Sequence, residues 1–203
     1  MRTIVITPPG PLITPEAVPG DHVANDAKVA ALIQAATEQI DGPTGWLGRA
    51  LGPQTLELHL TACDVAYGPP GFIYQPLIEL LSVKYDDPDG TERTLSAPED
   101  HVRLRSWRVM PATSWPTIAD SGHLRIRYRA GYDGDTTGAV PERVKQAIVL
   151  GVNNAKSVGA ENLFIAEEDV DGVGSTRYVV SPSAGLVIAK TIDQMLSGLR
   201  VFA

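Results

Sequence analysis

HLRIRYRAGYDGDTTGAVPERVKQAIVLG, residues 123–151, decides how this chain folds. Its first eight residues alternate. Leu124, Ile126, Tyr128 and Ala130 fall on one face, and His123, Arg125, Arg127 and Arg129 on the other, which is the period of a half-buried strand. A glycine-rich turn follows. Pro141 then suits the first position of a helix, and Glu142 complements the helix dipole. Val144, Ala147, Ile148, Gly151, Val152 and Ala155 recur at helical spacing. The stretch therefore predicts a strand, a turn and an amphipathic helix. The apolar set covers a core, and the arginine row faces water, a neighbouring subunit or a polyanion.

Upstream, residues 1–20 are rich in Pro and Thr and read as an extended segment lying on a surface or a partner. A helix is predicted over Asp26–Ile40, capped by Asn25 or Asp26, with Val29, Leu32, Ile33, Ala36 and Ile40 as its apolar stripe. Asp41-Gly42-Pro43 stops it. Between Arg49 and Arg129 the period becomes strand-like. Leu56, Leu58 and Leu60 alternate with Glu57 and His59, and Leu77–Tyr85, the turn Asp86–Gly90 and Thr91–Leu95 form a hairpin. Short strands are expected at His101–Leu104 and Trp107–Met110, with Leu124–Ala130 closing the sheet. After the helix that begins at Pro141, residues 157–178 read as a polar, acidic loop. A last helix starts at Ser181-Pro182, with Ile188, Ile192, Met195 and Leu199 inward. The expected class is α+β: a helical core of about three main helices with an inserted antiparallel sheet. Its divisions are an extended arm (1–24), a helical core (25–48 and 139–203) and a β region (49–138).

With 203 residues, 43% of them hydrophobic and 20% charged, the chain has the length and composition to bury a core. The net charge of −7 argues against indiscriminate nucleic-acid binding. It is unevenly spread. Residues 101–129 hold six arginines and one acid, +5, which leaves −12 for the rest. The single cysteine, Cys63, excludes an internal disulfide. Prolines interrupt the apolar run a signal peptide needs, and the longest uncharged stretch, Val65–Ile78, is broken by Pro69, Pro70, Gly71 and Pro76. A soluble protein made in the cytoplasm, with no membrane partner, is expected.

Catalytic templates are missing: no phosphate-binding loop, HExxH or CxxC occurs, and the four histidines are scattered. Cys63 reads as a structural thiol. Glu167-x-Asp169-x-Asp171-Gly172 opens like a calcium loop, but Tyr178 stands where the bidentate glutamate belongs. No catalytic residue, cofactor or metal is therefore assigned, and an enzyme is not expected. The arginines are the functional candidates. Arg125, Arg127 and Arg129, with Arg103 and Arg105, form a basic face that is either solvated and paired with acids on a neighbouring strand or touches phosphate or another subunit.

Three segments together resemble the head–tail connector (adaptor) family of long-tailed phages and gene transfer agents. AALIQAATEQIDGPTGWLGRALGPQTLEL joins a helix, a Thr-Gly break and a strand. IYQPLIELLSVKYDDPDGTERTLSAPED carries an apolar-Pro-Leu strand into Val-x-Tyr-x-Asp. SWPTIADSGHLRIRYRAGYDGDTTGAVPERVKQAIVL carries Trp-Pro, Ala-Gly-Tyr and Val-Pro-Glu. The resemblance spans roughly residues 25–152 and departs at Asn153-Asn154-Ala155-Lys156. It implies a virion structural protein: a wedge-shaped subunit of a ring, commonly twelve-fold, in the particle neck. Such a ring sits between the portal protein and a stopper or tail-completion protein and extends the channel for double-stranded DNA, which passes without sequence reading. It also implies docking to the portal through a chain end, here Leu199, Arg200, Val201, Phe202 and Ala203. The alternatives are a stopper or tail-completion protein of the same particle, or a DNA-packaging accessory that binds nucleic acid.

Overall fold

A computed structural model describes the chain except residues 67, 69, 73, 98, 105–107, 121, 161–166, 171–173, 178–181 and 202–203. It has the expected α+β class. The chain divides into two compact units. One comprises residues 1–12, 38–140 and 200–203 and holds the sheet. The other comprises residues 13–37 and 141–199 and holds most of the helical residues.

The sheet unit is built on five antiparallel strands: β1 (Arg2–Thr7), β2 (Gln54–Leu60), β3 (Leu77–Asp86), β4 (Glu92–Leu95) and β7 (Leu124–Ala130), in the spatial order β1-β2-β7-β3-β4. Between β4 and β7 in sequence lie β5 (His101–Leu104) and β6 (Arg108–Pro111), which pair with each other, and Arg108 of β6 also bridges Gly71. A short helix follows β2 at Ala62–Ala66 and carries the exposed Cys63. Two sequence expectations are corrected here. The strand Leu124–Ala130 does not close the sheet; it is central, hydrogen-bonded to β2 along its whole length and to β3 on the other side. Residues 2–7, read as part of an extended arm, form edge strand β1. The physical reason is shared: Thr, Ile and Val at positions 3–6 suit a pleated surface, and a strand whose apolar side chains are all buried is best placed with neighbours on both flanks.

Leu56, Leu58 and Leu60 of β2, Val83 of β3 and Leu124, Ile126, Tyr128 and Ala130 of β7 are buried in one cluster with Phe72, Val109 and Ile118. Tyr128 packs on Phe72 with ring centroids 4.6 Å apart. Each such leucine or isoleucine contributes about 1.5–3 kcal/mol by leaving water, so the alternation of β7 is a core pattern. The hairpin turn is held by Asp87, whose Oδ1 accepts from the Asp89 and Thr91 amides at 3.1 and 2.9 Å.

The helical unit takes most of α1 (Ala27–Ile40), together with α3 (Glu142–Ala160) and α4 (Pro182–Leu196); α2 is the Ala62–Ala66 turn of helix. Asp26 caps α1, its Oδ1 accepting from the Lys28 and Val29 amides at 2.8 and 3.2 Å. Val29 and Ile33 of α1, Val144, Ala147, Ile148 and Val152 of α3, and Leu196 of α4 are buried. Gly151 of α3 faces Ala36 of α1, with room for a methyl group: an added Cβ would sit in ordinary contact, 3.8 Å from the Ala36 side chain. The region read as a loop after residue 157 continues as helix to Ala160 and includes a hairpin, β8 (Glu167–Val170) with β9 (Gly174–Arg177). Asp171, Gly172 and Tyr178 of the calcium-loop reading lie outside the described residues.

Candidate interaction face

The central position of β7 decides what its arginines do. On β2, Glu57 and His59 alternate with the buried leucines and so share the arginine face; on β3, Glu79, Ser82 and Lys84 stand opposite Arg129, Arg127 and Arg125. Each arginine of β7 meets a carboxylate on a flanking element. Arg125 grips Asp86 with both terminal nitrogens, Nη2 to Oδ1 at 2.6 Å and Nη1 to Oδ2 at 3.2 Å, and reaches Glu92 at 2.9 Å. Lys84 holds the other Glu92 oxygen at 2.6 Å. Arg127 bonds Glu57 through Nε at 2.8 Å and Nη2 at 2.7 Å, and His59 Nε2 lies 2.8 Å from the other Glu57 oxygen. Arg129 meets Glu79 at 2.7 Å.

Four cations (Lys84, Arg125, Arg127, Arg129) are thus matched by four carboxylates (Glu57, Glu79, Asp86, Glu92). Burial pushes the Glu57 carboxyl up, but hydrogen bonds from Arg127 and His59 and their charges outweigh it and hold it below its usual range. The Arg125 hydrogen bond likewise lowers Asp86. The row that reads as a basic face in sequence is an ion-paired ladder with little free positive charge. Of the acids that neutralise it, Glu57 stands out of phase with Leu56, Leu58 and Leu60 in the sequence, whereas Glu79 shares the period of Leu77 and Val83 and reaches this face through the register shifts of β3. Arg103 lies on β5 opposite Val109; Arg105 lies outside the described residues.

The chain end is folded back. Leu199 is buried at 5% exposure, the Arg200 guanidinium lies 5.6 Å from the centre of the Trp46 ring, and the Val201 amide donates to the Leu47 carbonyl at 2.8 Å. Phe202 and Ala203 lie outside the described residues. Among the described residues no group of three or more metal-ligating side chains converges, and no helix is long and apolar enough to cross a membrane.

One buried carboxylate escaped the sequence reading. Asp41, which follows α1, accepts from the Leu51 amide at 2.6 Å and from Gln54 Nε2 at 3.0 Å, while its Oδ2 has no hydrogen-bond partner. Burial pushes its pKa up to about 6. The folded state then holds this proton more tightly than the unfolded chain, so stability falls as pH rises from about 4 to about 6. Asp41→Asn should stabilise the protein at pH 7.5 by about 1–2 kcal/mol and lose that advantage near pH 4. Urea titrations of both forms at the two pH values check this, and an Asn variant less stable at both would refute it.

By sequence, no protein-family model and no curated protein matches the chain. By structure it is similar over its whole length to solved chains. A chain in the neck of the native gene transfer agent particle, computed with C12 symmetry, superposes with a TM-score of 0.65 at 20% identity, covering 100% of this chain and 97% of that one. The fold is one found in gene transfer agent particles. A chain of the native gene transfer agent virion gives 0.63 at 17% identity, and one from the neck of the empty particle, computed with C6 symmetry, gives 0.59 at 18%. Each match covers 100% of this chain and 97% of the other, so the gene transfer agent fold includes both units described above.

Proposed function

We propose that this chain is a structural subunit of the neck of a gene transfer agent or related phage particle, acting as the head–tail adaptor. The observation that carries the reading is the end-to-end match of its fold to chains of gene transfer agent necks. The adaptor role within the neck, the ring of copies and the contacts with portal and stopper rest on the sequence resemblance over residues 25–152. The C12 symmetry of one matched neck favours a ring. The ion-paired sheet face supports a structural role over a DNA-binding one: phosphate attraction grows with the number of unneutralised cations, and here the cations are matched within the chain. Portal docking through the last residues requires Arg200 and Val201 to leave Trp46 and Leu47, or leaves docking to Phe202 and Ala203.

The test is removal of the protein from particle-producing cells, followed by electron microscopy. Filled heads without attached tails are expected. Normally tailed particles would overturn the neck assignment. Co-sedimentation of the purified chain with the portal protein then separates an adaptor, which binds it directly, from a stopper, which does not.

A further inference from the structure

The five-stranded sheet has two unfinished edges. Strand β4 is only four residues long and pairs with Val83–Asp86, whereas β3 is paired with β7 from Leu77 onward. On the β4 side, residues 77–82 of β3 have no strand partner among the described residues. A cleft of about 530 Å³ lies there, walled by Leu80, Leu81 and Ser82 and by Thr94–Ala97. Register shifts along β3 leave Leu81 out of the ladder with β7, and its side chain is 45% exposed. At the other edge, β1 pairs with β2 alone among the described residues and exposes Val5 and Ile6.

The two edges fit each other. Every neighbouring pair in the sheet is antiparallel, so β1 and β4 run in the same direction. A β1 strand placed in line with β4 is therefore antiparallel to β3, as the open ladder requires. Its six residues match the length of 77–82. In that orientation it enters at the end of β4, which puts Arg2 beside the turn carrying the exposed Glu99 and Asp100. Unpaired strand edges are templates for another chain. Because the two edges differ, their contact is head-to-tail, the type that forms a ring when the rotation between copies closes.

We propose that copies of this chain associate by strand addition, β1 of one copy completing the β3 edge of the next. The inference rests on the ring reading for its partner, a second copy, and on the two edges for the contact. The test uses Val5→Cys with Leu81→Cys in a Cys63→Ser background, because both positions are exposed in the monomer and lie diagonally across the proposed contact, Val5 standing opposite Glu79, within the span of a short cross-linker. The purified chain at high concentration and isolated particle necks are treated with a short bismaleimide and run on denaturing gels. A ladder of multimers from the double variant, and not from either single variant, is expected. Monomer alone in both samples, or equal ladders from the single variants, would overturn the proposal. A ladder from the purified chain with no protein in the necks would uphold strand addition and sink the neck reading. Protein in the necks without a ladder would do the reverse.

Discussion

Gly131→Ala should be among the most damaging single changes in this protein. Gly131 directly follows β7 at φ +120°, a conformation that L side chains rarely adopt. Its amide donates to the Pro76 carbonyl at 2.8 Å, which holds the strand end in place. An added Cβ would fall onto the Gly52 carbonyl group and lie 2.8 Å from the Pro53 nitrogen. These are backbone atoms, so no rotamer change relieves the clash. Backbone strain and overpacking each cost about 1–3 kcal/mol, and together about 3–5 kcal/mol is expected. That is a large part of the 5–15 kcal/mol typical of a folded domain. Urea denaturation followed by circular dichroism reads it. A variant within about 1 kcal/mol of the parent would show that this corner relaxes freely. Gly134→Ala is the control: its φ is also positive, at +87°, but nothing lies within 4 Å of the added carbon.

The second large effect is expected from Arg127→Ala. Its partner Glu57 is buried, at 8% exposure. Losing both guanidinium bonds leaves that carboxylate with His59 alone. A buried charge stripped of its main partner costs several kcal/mol, less where solvent reaches the pair. Arg127 itself is half-exposed, so about 2 kcal/mol is expected at pH 7. Arg129→Ala should cost under about 0.5 kcal/mol, since its partner Glu79, unlike Glu57, is half-exposed and stays hydrated without the arginine. The pH dependence is opposite in sign to that of Asp41. Glu57 has a lowered pKa when folded, so its pairing stabilises above the unfolded value of 4.5 and is lost as pH falls through the folded one. The gap between parent and Arg127→Ala should therefore narrow in acid. Adding Glu57→Gln to Arg127→Ala should recover most of the loss, because the double change removes the stranded charge. A double variant no better than the single one would mean that Arg127 acts through packing of its stem.

The arginine row shows how far reading along the chain reaches. Its alternation places a strand at 124–130, and the strand is there. The charge of the face is another matter. It depends on Glu57, Glu79, Asp86 and Glu92, which lie between 33 and 70 residues away and arrive by pairing of β2, β3 and β4. A count of charges along residues 101–129 gives an excess of cations, and the folded sheet neutralises the three of them that lie on β7.

Elements set by neighbouring residues were legible in the sequence. Asp26 starts α1, Pro141 precedes α3, Pro182 begins α4, and Asp87 closes the β3–β4 turn with its own side chain. Each signal acts over one turn of chain, where side chain and backbone meet whatever the rest of the fold does. Tertiary structure alone decided that β7 is central, that residues 2–7 join the sheet, that Asp41 is buried with one oxygen unpartnered, and that Arg200 and Val201 fold back on Trp46 and Leu47. Strand order and burial arise from backbone hydrogen bonds and apolar contacts between distant segments, and no local period in the sequence encodes which segments those are.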